Sequence, residues 1–209
     1  MLQFYLIERR SIITYITAKN EKITRLQYGA QGFRNAFYVL FNSVFSRPGC
    51  ESWLQDGNAM SVLGTNGCFS IELYLKFLMA IDSFDEQTLS GKHKLGHKLG
   101  ELYDALRKQN SSWVNELEQK YNLSKHKHQY KSLGDFLNSI NDYFVDWRYS
   151  YDKGALNVNL NTLSDVLNFF KEFSINKYSK VAEVLAQHPV SNPDNQSMSI
   201  DSIDEIKKC

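Results

Sequence analysis

Apolar residues recur at helical spacing along most of this chain, and one run is apolar on nearly every side. That run is Gly67 to Ile81, GCFSIELYLKFLMAI, broken mainly by Ser70, Glu72 and Lys76. A helix with so little polar surface belongs in the middle of a bundle. Glu72 and Lys76, four apart, share one stripe of it, and Asn58, Ser61 and Thr65 roughly continue that stripe backwards. The pattern predicts a helix from about Asp56 to Ser83. Gly57, Gly64 and Gly67 in its first half mark a kink or the close approach of a neighbour.

The same periodicity predicts the other elements. Leu26, Phe33, Phe37, Leu40, Phe41 and Val44 form a stripe from about Arg25 to Phe45, stopped by Ser46-Arg47-Pro48-Gly49. Leu95, Leu99, Leu102, Tyr103 and Leu106 give one face of a helix within residues 92–109. A short helix follows, capped by Ser111 or Ser112 and running through Tyr121. Leu133, Phe136, Leu137, Ile140, Phe144, Trp147 and Tyr151 read as one continuous helix, with Ser132 or Gly134 at its start and Gly154 at its end. Asn161 or Thr162 caps a last long helix that Pro189 stops. Residues 1–24 are rich in β-branched and aromatic side chains and fit a short strand pair, an irregular arm or the first helix; an N-terminal arm packed on the bundle is the preferred reading. Residues 189–209 are polar, with Pro193 and several serines, and read as a flexible tail. The expectation is an all-α, single-domain bundle of five to six helices over residues 25–188, between that arm and that tail.

Composition narrows the function classes. A formal net charge of +1 gives no global attraction to nucleic acid or to a membrane. Glu72 and Lys76 interrupt the best apolar run, so no segment reads as a membrane span. The N-terminus lacks a signal-peptide pattern, because Glu8, Arg9 and Arg10 fall where its apolar core would be. Cys50, Cys68 and Cys209 have no CxxC spacing and an odd count, which points to reduced thiols and a cytoplasmic protein rather than a disulfide scaffold or a zinc site. No glycine-rich phosphate loop, GxSxG, HExxH or paired-carboxylate motif is present, and neither a cofactor nor a metal is expected.

Three segments carry a resemblance. NGCFSIELYLKFLMAI holds Glu72 and Lys76; SGKHKLGHKLGELYDAL holds Gly96-His97-x-Leu99 followed by Leu102; DYFVDWRYSYDKG holds Arg148-Tyr149-x-Tyr151-Asp152. In this order and spacing, over roughly Phe33 to Phe173, the trio resembles the HEPN-domain proteins of prokaryotes. The resemblance implies a helical bundle that commonly dimerises. It also implies RNA as a substrate or ligand, and a place in phage defence or a toxin–antitoxin system. The family's usual active motif is an Arg, four to six variable residues, then a His. The chain departs from it here, since Arg148 is followed through Ala155 by no His.

Metal-independent RNA cleavage needs a base for the 2′-hydroxyl and a cation for the phosphate. Arg148 and His97 are the candidate catalytic residues, with Glu72, Lys76 and Tyr149 as ligand-binding partners. The plainer reading makes Glu72 and Arg148 a buried pair that fixes geometry, His97 a capping or packing residue, and Tyr151 a core residue. His126 and His128, among Lys125, Lys127 and Lys131, read as a solvated basic loop or a nucleic-acid contact. The expectations are a protein that binds or cleaves RNA, or a non-catalytic bundle of the same kind that binds a partner protein or a nucleotide.

Overall fold

The computed structural model describes the backbone of residues 2–45, 58–83, 96–124, 130–141 and 158–187, and the side chains of residues 21–45, 59–83, 96–124, 130–141 and 158–179. Among these it holds six helices and no strand: α1 (Leu2–Phe45), α2 (Asn58–Asp82), α3 (Leu99–Gln109), α4 (Ser111–Asn122), α5 (Leu133–Ser139) and α6 (Leu160–Gln187). The fold is all-α, as the spacing predicts. None of the helices is long and apolar enough, among the described residues, to cross a membrane.

The bundle is built around α2. It packs against α1 on one side and against α6 and α3 on others. Its buried positions include Leu63, Ile71, Leu75, Phe77, Leu78 and Ile81, spread around the helix and not confined to one stripe. That is why its sequence is apolar on nearly every side. Ile23, Ala30, Phe37 and Val44 recur at sevens along α1 and are all buried, which gives a long seam against α2. Along this seam Ser70 Oγ donates to the Ala30 carbonyl at 2.8 Å, and Phe33 meets Phe69 edge to face at 4.5 Å. At Gly67 a Cβ would lie 2.6 Å from Leu163 Cδ2, so the glycine admits α6.

The small helices are joined through one carboxylate. Glu118 on α4 accepts from the backbone N–H groups of Leu133 (2.9 Å) and Gly134 (3.3 Å) at the start of α5, and from the Tyr103 hydroxyl of α3 (3.0 Å). Arg107 lies 3.7 Å from the same carboxylate. An anion at a helix N-terminus meets unpaired N–H groups and the favourable end of the dipole.

Four sequence expectations change at this level. The backbone of residues 2–24 continues α1 as helix, instead of forming a strand pair or an irregular arm. The cap of α4 is Asn110, whose Oδ1 accepts from the Trp113 N–H at 3.2 Å, one residue before Ser111. The cap of α6 is Asn159, which accepts from the Thr162 N–H at 3.0 Å, while Thr162 itself is buried. The helix expected from Leu133 to Tyr151 stops at Ser139, with Ile140 out of helical geometry. Stopping there frees Asn141 to accept from the Gly100 N–H at 2.7 Å and so to cap the start of α3. The Ser132 cap is as expected, accepting from the Asp135 N–H at 3.0 Å. Phe144, Trp147, Tyr151 and residues 189–209 lie outside the described residues.

Candidate functional site

Glu72 and Lys76 face the junction of α2 with the start of α3. Leu99 and Leu102 bury the first turn of α3 in the core, and α3 packs on α2. This docking carries the preceding residue pair, His97 and Lys98, across the face of α2. Lys98 has an extended backbone and turns its ammonium to Glu101, at 3.3 Å. His97 turns the other way, onto Glu72.

One oxygen gathers the centre. Glu72 Oε1 lies 2.7 Å from Lys76 Nζ and 2.9 Å from His97 Nδ1. Exposure rises across the group: 4% for the Glu72 side chain, 20% for Lys76 and 62% for His97. The carboxylate is therefore an internal anchor, and the imidazole is the part that meets solvent. With Nδ1–H donating to Glu72, the basic lone pair of the ring is on Nε2. A carboxylate that fixes a ring in this way sets both its tautomer and its orientation. The arrangement presents an oriented imidazole at the surface, with a cation beside the carboxylate that holds it.

Cys68 lies one turn before Glu72 and is fully buried. Burial pushes its thiol well above the usual range, and the Glu72 charge adds to that push. A thiol held protonated in this way is a packing group and not a nucleophile. Among the described residues, no cluster of three or more His, Cys, Asp or Glu side chains could hold a metal ion.

Of the predicted site residues, the fold brings Glu72, Lys76 and His97 together. Arg148 and Tyr149 lie outside the described residues, as do His126 and His128. Lys131 is exposed at the approach to α5. Trp113 packs on the core, edge to face with Phe173 at 6.0 Å and with Lys177 Nζ 5.5 Å from its ring.

A second polar group was missed from sequence. Arg34 on α1 donates to Asn168 Oδ1 of α6 at 2.6 Å, and the Tyr38 hydroxyl donates to the Ser164 carbonyl at 2.8 Å. The available signal was compositional: Arg34 is the one charged residue between Leu26 and Phe45. A lone charge in such a segment needs a specific environment.

Fold and site together define an all-α bundle with a buried carboxylate that orients a surface histidine. The chain matches no family model, no curated protein and no solved structure.

Proposed function

We propose that the chain is a HEPN-like helical protein that binds or cleaves RNA. The observation that carries the reading is the Glu72–His97 contact at 2.9 Å, with His97 62% exposed. It supplies an oriented imidazole from a residue outside the family's usual Arg-to-His motif. In this reading His97 Nε2 takes the 2′-hydroxyl proton, Glu72 holds the ring and Lys76 balances the carboxylate. Arg148 receives the phosphate and Tyr149 stacks on a base. The reading further takes the chain as a homodimer acting in phage defence or a toxin–antitoxin system. Support for the dimer comes from α1, where Tyr28 and Val39 are each 69% exposed in a segment with a single charge.

The test is cleavage of single-stranded RNA by the purified chain in the presence of a chelator, with light scattering for oligomeric state. His97→Ala and Arg148→Ala should each lower the cleavage rate by roughly 10²–10⁴-fold with an unchanged helical spectrum. Wild-type protein that neither binds nor cuts RNA would overturn the proposal.

A second reading is favoured by the burial of Glu72. Both of its described partners converge on one oxygen, as they would in an ionic centre that only orients α2 and α3. The chain would then be a non-catalytic bundle that binds a partner protein or a nucleotide. In that case Arg148→Ala lowers the melting temperature and moves no RNA readout.

A further inference from the structure

We propose that the seam between α1 and α6 binds a small oxyanion, a carboxylate or a phosphate, through Arg34 and Tyr74. The inference is independent of the RNA reading. Residues 72 and 74 are about 200° apart around α2, so this seam is on the side of the helix away from Glu72 and His97.

The two flanking helices meet through their longer side chains. Both pack on α2, and side chains bridge them across it. Arg34 and Tyr38, one turn apart on α1, reach Asn168 and Ser164, one turn apart on α6 and in reversed order. The helices therefore run antiparallel here, with Tyr74 of α2 beneath them. Tyr74 is 1% exposed, and its ring stacks on Phe170 at 6.5 Å.

This seam has donors and positive charge in excess of acceptors. The Arg34 guanidinium lies over the Tyr38 ring at 4.5 Å and gives one hydrogen bond to Asn168. Among the described residues its buried Nε has no acceptor, and the buried Tyr74 hydroxyl has no partner. Among the described residues no carboxylate pairs with Arg34. The guanidinium is near enough to Tyr74 to oppose part of the effect of burial on that hydroxyl. Buried donors left unmade are costly, and an oxyanion would accept from them while lying beside the guanidinium charge. Arg34, Tyr38, Ser164 and Asn168 are each half-buried, so the seam reaches the surface.

The experiment uses the full chain at constant ionic strength, titrated with inorganic phosphate, with acetate, and with potassium chloride as the reference. The expected result is a saturable rise in melting temperature with phosphate or acetate that chloride does not reproduce. A response to phosphate alone assigns a tetrahedral oxyanion; a response to acetate assigns a carboxylate; either supports the site. Arg34→Lys keeps the charge but removes the Nε donor, and should weaken half-saturation by roughly tenfold or more. Tyr74→Phe removes the unpaired hydroxyl, so it should raise the anion-free melting temperature while weakening the anion response. Should Arg34→Lys fail to fold, the Tyr74→Phe pair of readings decides alone. Absence of a saturable response in the wild type overturns the proposal, as does a response that Tyr74→Phe leaves unchanged.

Discussion

A carboxylate with 4% side-chain exposure needs its charge met where it stands. Glu72 is met by Lys76 and His97, so removing one partner differs from removing the pair. Lys76→Met should destabilise the fold by about 2–3 kcal/mol, because it leaves a buried charge with one exposed neighbour. Glu72→Leu combined with Lys76→Met should lie within about 1 kcal/mol of the wild type, since an apolar pair of similar volume carries no desolvation penalty. Urea unfolding of the two single variants and the double variant measures this coupling. Additive losses would show that Lys76 does not compensate Glu72. The i, i+4 spacing made the Glu72–Lys76 pair legible, and the apolar circumference of the helix made its burial legible. The Arg34 group was not legible. Its partners, Asn168 and Ser164, are more than 120 residues away, beside the apolar stripe of α6, and no local pattern says which helix that flank meets.

At the scale of elements, periodicity located the helices and left their ends unsettled. Asn110, Ser111 and Ser112 can all cap a helix, as can Asn159, Asn161 and Thr162. Which one does so depends on backbone geometry fixed by packing. The break at Ser139 was hidden for a related reason. The apolar stripe stays in register past Ile140, while the gain that ends the helix is the distant contact of Asn141 with Gly100. The close approach at Gly67 was legible as one of two alternatives, and Gly67 and Gly32 make opposite predictions. Gly32 has nothing within 4 Å of an added Cβ. Gly32→Ala in the exposed interior of α1 should therefore stabilise by about 1 kcal/mol through helix propensity alone. Gly67→Ala gains the same propensity but drives a methyl into Leu163, which is fully buried. Overpacking of about 1–3 kcal/mol should outweigh the gain and leave a net loss. Thermal melts of the two variants check the contrast; a stabilised Gly67→Ala would show that α6 yields at this crossing.

The whole molecule should fail in alkali over a definable range. Tyr74 and Tyr121 are buried in different parts of the bundle, one between α2 and α6 and the other on α4. Burial pushes each hydroxyl from its ordinary value of 10.0 up to about 12, helped at Tyr121 by Tyr130 and the Glu118 carboxylate. Tyr103 is pushed further in the same direction by burial and by its bond to Glu118. A group whose folded pKa is raised keeps its proton in the native state after the unfolded chain has lost it. Its contribution to stability is complete below pH 10 and is lost as pH rises toward 12. The buried tyrosines contribute to the loss in that window. Tyrosinate absorbance and far-ultraviolet ellipticity, followed together against pH, measure it. The buried set should ionise in one step with the loss of helix. Tyr74→Phe should move that step to higher pH, because it removes a proton that the unfolded state releases more easily. Ionisation of every tyrosine near pH 10 with the helical signal preserved would mean that the α2–α6 core admits water.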